Sequence, residues 1–315
     1  MRALNVPAAG QPAQLSEVPT PEVTDGHVLV RVKAAGLNPI DNGIAAGMLA
    51  GMMPHEYPVV IGRDAAGVVE AVGAGVEHVS PGDEVIGHVV FAPPIQHGTL
   101  AEYALFPAAA VTPKPEGIDF VTAAAIPLAG AAAVAAVDVI EPKAGDVVLV
   151  DGASGGVGSY VVQLLKARGA TVVATATADD SDRVRRLGAD EVVDFTTGAV
   201  AEQVLASHPD GVDGLVELAA MDAAAAPLAA VRKDGTVAAT TRAADPDALA
   251  AAGLTGRAVM AGPVREVVGP LAEQVAAGTL TVDVEQVIPL EQAADGLATI
   301  ASGQARGKIV VTVAD

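Results

Sequence analysis

At 315 residues the chain is long enough for roughly two domains of ordinary size. Its formal net charge of -20 sets it against nucleic-acid phosphates and anionic lipid, and the absence of cysteine excludes disulfides, a thiol nucleophile and thiolate metal sites. With 51% hydrophobic but only 2% aromatic residues and no Trp, the core must be built from Ala, Val, Leu and Ile, and ring stacking on bases is excluded as the main mode of binding.

The N-terminal "MRALNVPAAG" has one Arg and no long apolar stretch, so no secretory signal is expected and the protein is expected in the cytoplasm. From about Val28 to Val111 the text is short β-like runs, "HVLVRVKAAG", "AAGVVEAVG", "DEVIGHVVF" and "AEYALF", punctuated by Gly, Pro and Asp, which predicts antiparallel strands. The uncharged run "FVTAAAIPLAGAAAVAAV", Phe120 to Val137, reaches membrane-spanning length, but it is mostly Ala and is broken by Pro127 and Gly130. It reads as an inter-domain segment and a helix. From about Val121 to Val264 apolar strands ("VVLV", "TVVATA", "EVVDF", "GLVEL", "TVAAT") alternate with Ala-rich helical stretches, the pattern of a parallel sheet covered on both faces. The tail returns to β-like text, ending in "GKIVVTV" after a helical "LEQAADGLATIASG".

Between strand "DVVLV" and helix "VGSYVVQLLKARG" lies the loop "DGASGGVG", residues 151 to 158. In a G-x-G-x-x-G loop the glycines permit a tight turn, close backbone approach to a pyrophosphate and close helix–strand packing, while the helix N-terminus offers N–H groups and partial positive charge. Here the pattern reads Ala153-Ser154-Gly155-Gly156-Val157-Gly158, with Ala in the first glycine's place and Gly152 just before it. The order strand, loop, helix, strand points to dinucleotide binding.

Taken with "GLNPID" (36 to 41), "YPVVIGRDAAGVVEAVG" (57 to 73), "SPGDEVIG" (80 to 87), "GTLAEYALFP" (98 to 107), "AAAIPLAGAAA" (123 to 133), "LGADEVVDF" (187 to 195) and "PLEQAADGLATIASGQARGKIVV" (289 to 311), this loop makes the chain resemble the medium-chain dehydrogenase/reductase superfamily, in its zinc-free quinone oxidoreductase (zeta-crystallin-like) branch. The resemblance covers nearly the whole chain. It implies an α/β protein with a GroES-like, partly β-barrel substrate domain from residues 1–120 and 265–315, a Rossmann doubly wound parallel sheet domain over 121–264, and an active site in the cleft between them. Zinc-using members carry Cys in the loop matching Asn38 to Asp41 and a His-Glu pair where this chain has Arg63-Asp64, so no metal is expected. The six His, at 27, 55, 78, 88, 97 and 208, show no H-x-x-x-H spacing and read as surface or packing residues.

Without a Lewis acid, the feasible reaction is hydride delivery from a nicotinamide to an already electrophilic carbon, a quinone or the β-carbon of an α,β-unsaturated carbonyl. The resemblance places Asn38 by the nicotinamide and substrate, with a turn-forming role before Pro39 as the alternative, and it reads Asp41 as structural. The branch often has a Tyr after that loop where this chain has Met48 and Leu49. The donor is thus unassigned, with Tyr57 and His55 the nearby candidates. Ala132 stands where a Thr usually lies near the nicotinamide, and Lys308 is carried with the cofactor-binding set.

Thr175 and Ala176 stand where NAD enzymes place an acid, leaving room for a 2'-phosphate. Thr177 and Asp179 occupy the positions of a phosphate-gripping Ser and Arg; Asp179 and Asp180 repel a phosphate unless turned outward, Arg183 compensates one turn later, and Phe195 replaces a Tyr near the adenosine end. The expected cofactor is NADPH, with NADH open. The leading expectation is a quinone or enone reductase on a small-molecule substrate. The alternatives are an enoyl reductase on a carrier-bound or pathway-specific acyl chain, and a cofactor-binding protein without catalysis. Neither nucleic acid nor a membrane is an expected partner. The resemblance implies a homodimer through "GRAVMAG", residues 256 to 262.

Overall fold

Small apolar residues alternating with polar ones make the first hundred residues a series of short strands. The computed structural model describes residues 1–313. Its first strands are β1 (Arg2–Val6), β2 (Gln14–Glu17), β3 (His27–Gly36), then helix α1 (Pro39–Ala45), β4 (Val59–Val60), β5 (Asp64–Val72), β6 (Glu84–His88), β7 (Tyr103–Pro107) and β8 (Val111–Pro113). Helices α2 (Phe120–Ala124) and α3 (Pro127–Ile140) follow. Asp119 caps α2 by accepting from the Thr122 N–H at 2.7 Å, and Pro127 opens α3, where a missing N–H costs nothing. The Ala-rich run is thus two helices, and among the described residues no helix is long and apolar enough to cross a membrane.

The middle of the chain alternates strand and helix: β9 (Val147–Asp151), α4 (Gly156–Ala167), β10 (Thr171–Ala176), α5 (Ser181–Arg186), β11 (Glu191–Asp194), α6 (Val200–Ser207), β12 (Val212–Glu217), β13 (Val231–Ala239), α7 (Pro246–Ala251) and β14 (Thr255–Ala258). The chain then closes with α8 (Arg265–Ala276), β15 (Val284–Pro289), α9 (Ala293–Ala301) and β16 (Lys308–Thr312). Two compact units result, one from Met1–Ala129 with the chain from Pro263 onward, the other Gly130–Gly262, and the first division falls within α3.

In the first unit, β2-β1-β4 form a small antiparallel sheet, and the larger sheet runs β15-β16-β3-β5-β6-β8 with β7 paired to β3. In the larger sheet β15 and β16 pair in parallel. Val28, Val30, Val32, Val85, Val111 and Phe106 fill its core. In the second unit all six strands are parallel, in the order β11-β10-β9-β12-β13-β14. That is the doubly wound order, in which the strand sequence reverses beside β9, and ligands bind at the carboxyl ends of strands flanking such a reversal. Leu149, Val173, Leu215 and Val237 are fully buried in it, each contributing about 1.5–3 kcal/mol on leaving water.

Candidate functional site

The glycine loop begins where β9 ends. Gly152 takes φ +82, a conformation that favours glycine, and Ala153, in the first glycine's place, is fully buried. Gly155 is the N-cap of α4, no side chain caps that end, and no acidic residue lies in its first turn. Ser154, Gly155, Gly156 and Val157 stay partly open to solvent, whereas Gly158 is buried against the loop. An uncapped, partly open helix N-terminus beneath a glycine turn fits a dinucleotide pyrophosphate, because the free N–H groups and the helix dipole both favour an anion there.

Around this loop the structure gives each expected residue a definite place. The Thr175 hydroxyl is buried, accepts from the Gly152 N–H at 2.9 Å and donates to Asp151 at 2.7 Å, so it holds the base of the loop. Thr177 donates to Asp180 at 3.2 Å. Arg183 lies across the loop end: its Nη2 donates to the Ser154 carbonyl at 2.8 Å and also reaches Asp180 at 3.2 Å. Asp180 is therefore turned onto a cation, and Asp179 is exposed. Phe195 is 47% exposed beyond β11, and Ala132 is buried in α3.

Beneath the same loop lies a feature no local pattern announces. Glu217, at the carboxyl end of β12, stands in register with Asp151 at the end of β9. Its Oε1 accepts from the N–H groups of Ala219 and Ala220 at 2.7 and 2.8 Å, while Oε2 is buried without a partner. Burial first, and the neighbouring Asp151 charge second, push the Glu217 carboxyl up to about 7.

The first unit carries a separate buried polar cluster. Asn38 is the N-cap of α1 and forms a capping box with Asp41, whose Oδ2 accepts from the Asn38 N–H at 2.8 Å. The Asn38 amide donates to Asp64 at 2.9 Å and its oxygen accepts from the Lys308 ammonium at 2.7 Å. Lys308, expected among the cofactor-binding residues, is buried and also donates to the Leu37 carbonyl at 2.7 Å. Asp64 in turn accepts from His88 at 2.7 Å and from the Leu128 N–H at 3.1 Å. Burial holds Lys308 below its ordinary value and pushes Asp41 up to about 7.

Tyr57 and His55 form a second grouping, with ring centroids 6.3 Å apart and planes 29° apart. His55 Nδ1 contacts the Met53 carbonyl at 2.9 Å and its Nε2 has no partner. Among the described residues no hydrogen bond joins this pair to Asn38. Sequence reasoning missed Glu217 and the Asp64–His88 pair. The available signal for Glu217 was an acid at the end of an otherwise apolar parallel strand.

Comparison with known proteins agrees with this geometry. Residues 24–116 match the alcohol dehydrogenase GroES-like domain and residues 187–311 the zinc-binding dehydrogenase domain. The chloroplastic NADPH-dependent alkenal/one oxidoreductase of Arabidopsis thaliana is 34% identical over 301 residues, covering 94% of this chain and 74% of that protein. The chain belongs to the medium-chain dehydrogenase/reductase superfamily.

The human mitochondrial NAD(P)H oxidoreductase RTN4IP1 is 36% identical over 62% of this chain and 54% of its own, so the chain spans about half the length of that relative. The quinone oxidoreductase structure from Coxiella burnetii superposes with a TM-score of 0.90 at 27% identity, covering 100% of this chain and 99% of its own. The second matching domain is named for zinc binding. Among the described residues no three His, Cys, Asp or Glu side chains converge as a metal site, and a buried guanidinium, that of Arg63, adjoins Asp64 in the chain.

Proposed function

We propose that this protein is a zinc-independent reductase that uses NADPH to reduce a quinone or an α,β-unsaturated carbonyl. The observation that carries the reading is the open, uncapped N-terminus of α4 at the switch point of the parallel sheet. The nicotinamide supplies a hydride, and the chain's residues bind, orient and exclude water. The Gly155–Val157 backbone would hold the pyrophosphate. Support for the 2'-phosphate comes from the end of β10, where Thr175 and Ala176 offer no carboxylate to ribose hydroxyls and Arg183 neutralises Asp180. The activity for which the Arabidopsis relative is named supports an alkenal or alkenone acceptor.

The test is a fluorescence titration with NADPH and with NADH, followed by a quinone, a simple enone and an enoyl thioester. NADPH is expected to bind at least about tenfold more tightly, a difference of about 1.4 kcal/mol that one charge-assisted contact supplies, and to be oxidised by the quinone or the enone. Preference for NADH, turnover of the thioester alone, or turnover abolished by a metal chelator would each contradict the reading.

We further propose that two copies associate along β14. This strand is the edge of the parallel sheet, all four of its residues are exposed, and Met260 just beyond it is 87% exposed; an open strand edge with apolar flanks is a template for pairing. Light scattering is expected to give twice the 31.1 kDa chain mass, and a monomer mass would overturn the proposal.

A further inference from the structure

Arg63 is the largest fully buried side chain of the protein, and its guanidinium is not satisfied. Nε and Nη2 are both buried and neither has a hydrogen-bond partner. These two N–H groups lie on one edge of the planar guanidinium and point the same way, the edge that takes two oxygens or one shared oxygen of a planar anion. Buried polar groups are nearly always bonded, and a buried cation with an empty edge costs more than a neutral one. Such an edge calls for a ligand.

The neighbours do not supply one. Asp64, adjacent in sequence, has its oxygens committed to His88, Asn38 and the Leu128 N–H. Asp41 influences the charge of Arg63, but no ion pair closes between them, and its Oδ1 is likewise buried without a partner. Lys308, the other buried cation, is bonded to Leu37 and Asn38. The face of the guanidinium is covered by Phe91, whose ring centroid lies 5.4 Å from Cζ. Phe91 itself is 37% exposed and begins the exposed stretch Phe91, Ala92, Pro93 and Pro94, so the cover over Arg63 reaches solvent.

We propose that the Nε–Nη2 edge of Arg63 receives the carbonyl oxygen of the acceptor and holds the negative charge that reduction places on it. The inference rests on the reductase reading. As the β-carbon of an enone gains a hydride, the C=C electron pair shifts toward the carbonyl, whose oxygen becomes an enolate; a proton from water then goes to the α-carbon and the C=O bond is restored. Two fixed N–H donors on a permanent cation favour that enolate over the neutral carbonyl, which is how a preorganised oxyanion site lowers a barrier. Phe91 must swing outward to admit the acceptor, and its return keeps water from the charge.

The probe is 4-nitrophenolate, a planar aryl oxyanion whose absorbance reports its ionisation, titrated into the full-length protein and its Arg63→Gln and Arg63→Lys variants. Wild type is expected to bind the ionised form, Arg63→Gln about 30-fold more weakly, and Arg63→Lys in between, since lysine restores charge without the paired edge. In enone turnover Arg63→Gln is expected to lower kcat by about 10²–10³ while leaving NADPH affinity unchanged. Should Arg63→Gln fail to fold, a crystal structure of wild type with the phenolate decides: an oxygen on Arg63 Nε and Nη2 supports the proposal, and an oxygen elsewhere, or no binding, overturns it. Enone reduction at unchanged kcat by Arg63→Gln overturns the proposal and leaves the reductase reading standing. Arg63-dependent phenolate binding in a protein that reduces neither quinone nor enone does the reverse.

Discussion

Gly158→Val is expected to abolish dinucleotide binding and to destabilise its unit by about 3 kcal/mol or more. A Cβ at Gly158 would overlap the Gly152 carbonyl oxygen and lie 2.6 Å from Ala153 Cα and 2.8 Å from Ala153 C, all backbone atoms of the loop itself. No rotamer relieves such an overlap, so either the loop lifts away from α4 or the helix shifts along β9. Both movements break the arrangement in which the Gly155 N–H donates to the Gly152 carbonyl at 3.1 Å and α4 presents its first N–H groups. Gly155→Ala is the matched control. Its φ of -84 suits any residue and its Cβ would meet only the Gly152 oxygen, at 3.4 Å, so stability is expected within about 1 kcal/mol of wild type. Urea denaturation and NADPH titration of both variants check this; a Gly158→Val protein that binds NADPH normally would show that the loop is not the cofactor cradle.

Much of the fold was legible because it is written locally. "HVLVRVKAAG" and "TVVATA" are strands to the residue, His27–Gly36 and Thr171–Ala176, since β-branched runs bounded by Gly, Asp or Ala turns leave little choice. The change from alternating to continuous apolarity separated antiparallel from parallel sheet for the same reason. β15 (Val284–Pro289) escaped notice because its alternate residues are only half-buried and its partner β16 lies beyond a whole helix. The glycine loop was readable as a loop, but not the direction of Arg183, whose contact with the Ser154 carbonyl depends on where two separate loops end. Least legible were the buried clusters. Asn38 and Lys308 are 270 positions apart, and nothing in "GLNPID" or "RGKIVV" says that one amide oxygen will satisfy the other's ammonium. The empty edge of Arg63 is harder still: it is defined by the partners that neighbouring carboxylates have already taken.

Glu217→Gln is expected to make the protein more stable than wild type at pH 8 and no more stable at pH 5. In the folded chain the Glu217 carboxyl is pushed up to about 7 by burial and by Asp151, while an unfolded chain ionises it near the ordinary 4.5. Between those two values the native state holds a proton that the unfolded state has released, so stability falls as pH rises. The contribution is fully present below about pH 4.5 and is lost through about pH 7. It amounts to about 3 kcal/mol, because each pH unit separating the two ionisations is worth about 1.36 kcal/mol. Gln at this position keeps an oxygen for the N–H groups of Ala219 and Ala220 and has nothing to ionise. The difference in urea-unfolding free energy between variant and wild type should therefore grow by about 3 kcal/mol from pH 5 to pH 8, whatever the other carboxylates contribute to both proteins. Asp41, pushed up from 3.8 to about 7 in the other unit by burial, has the same sign. Asp41→Asn should flatten the pH dependence of that unit while Asn supplies the oxygen that caps Asn38. A difference between Glu217→Gln and wild type that stays constant from pH 5 to pH 8 would mean that Glu217 ionises alike in the folded and unfolded chain, and would overturn this reading. The placement of Glu217 at the carboxyl end of β12, in register with Asp151 below the glycine loop, then gives the effect a functional reading: each added negative charge there would oppose a pyrophosphate held, as proposed, at the N-terminus of α4.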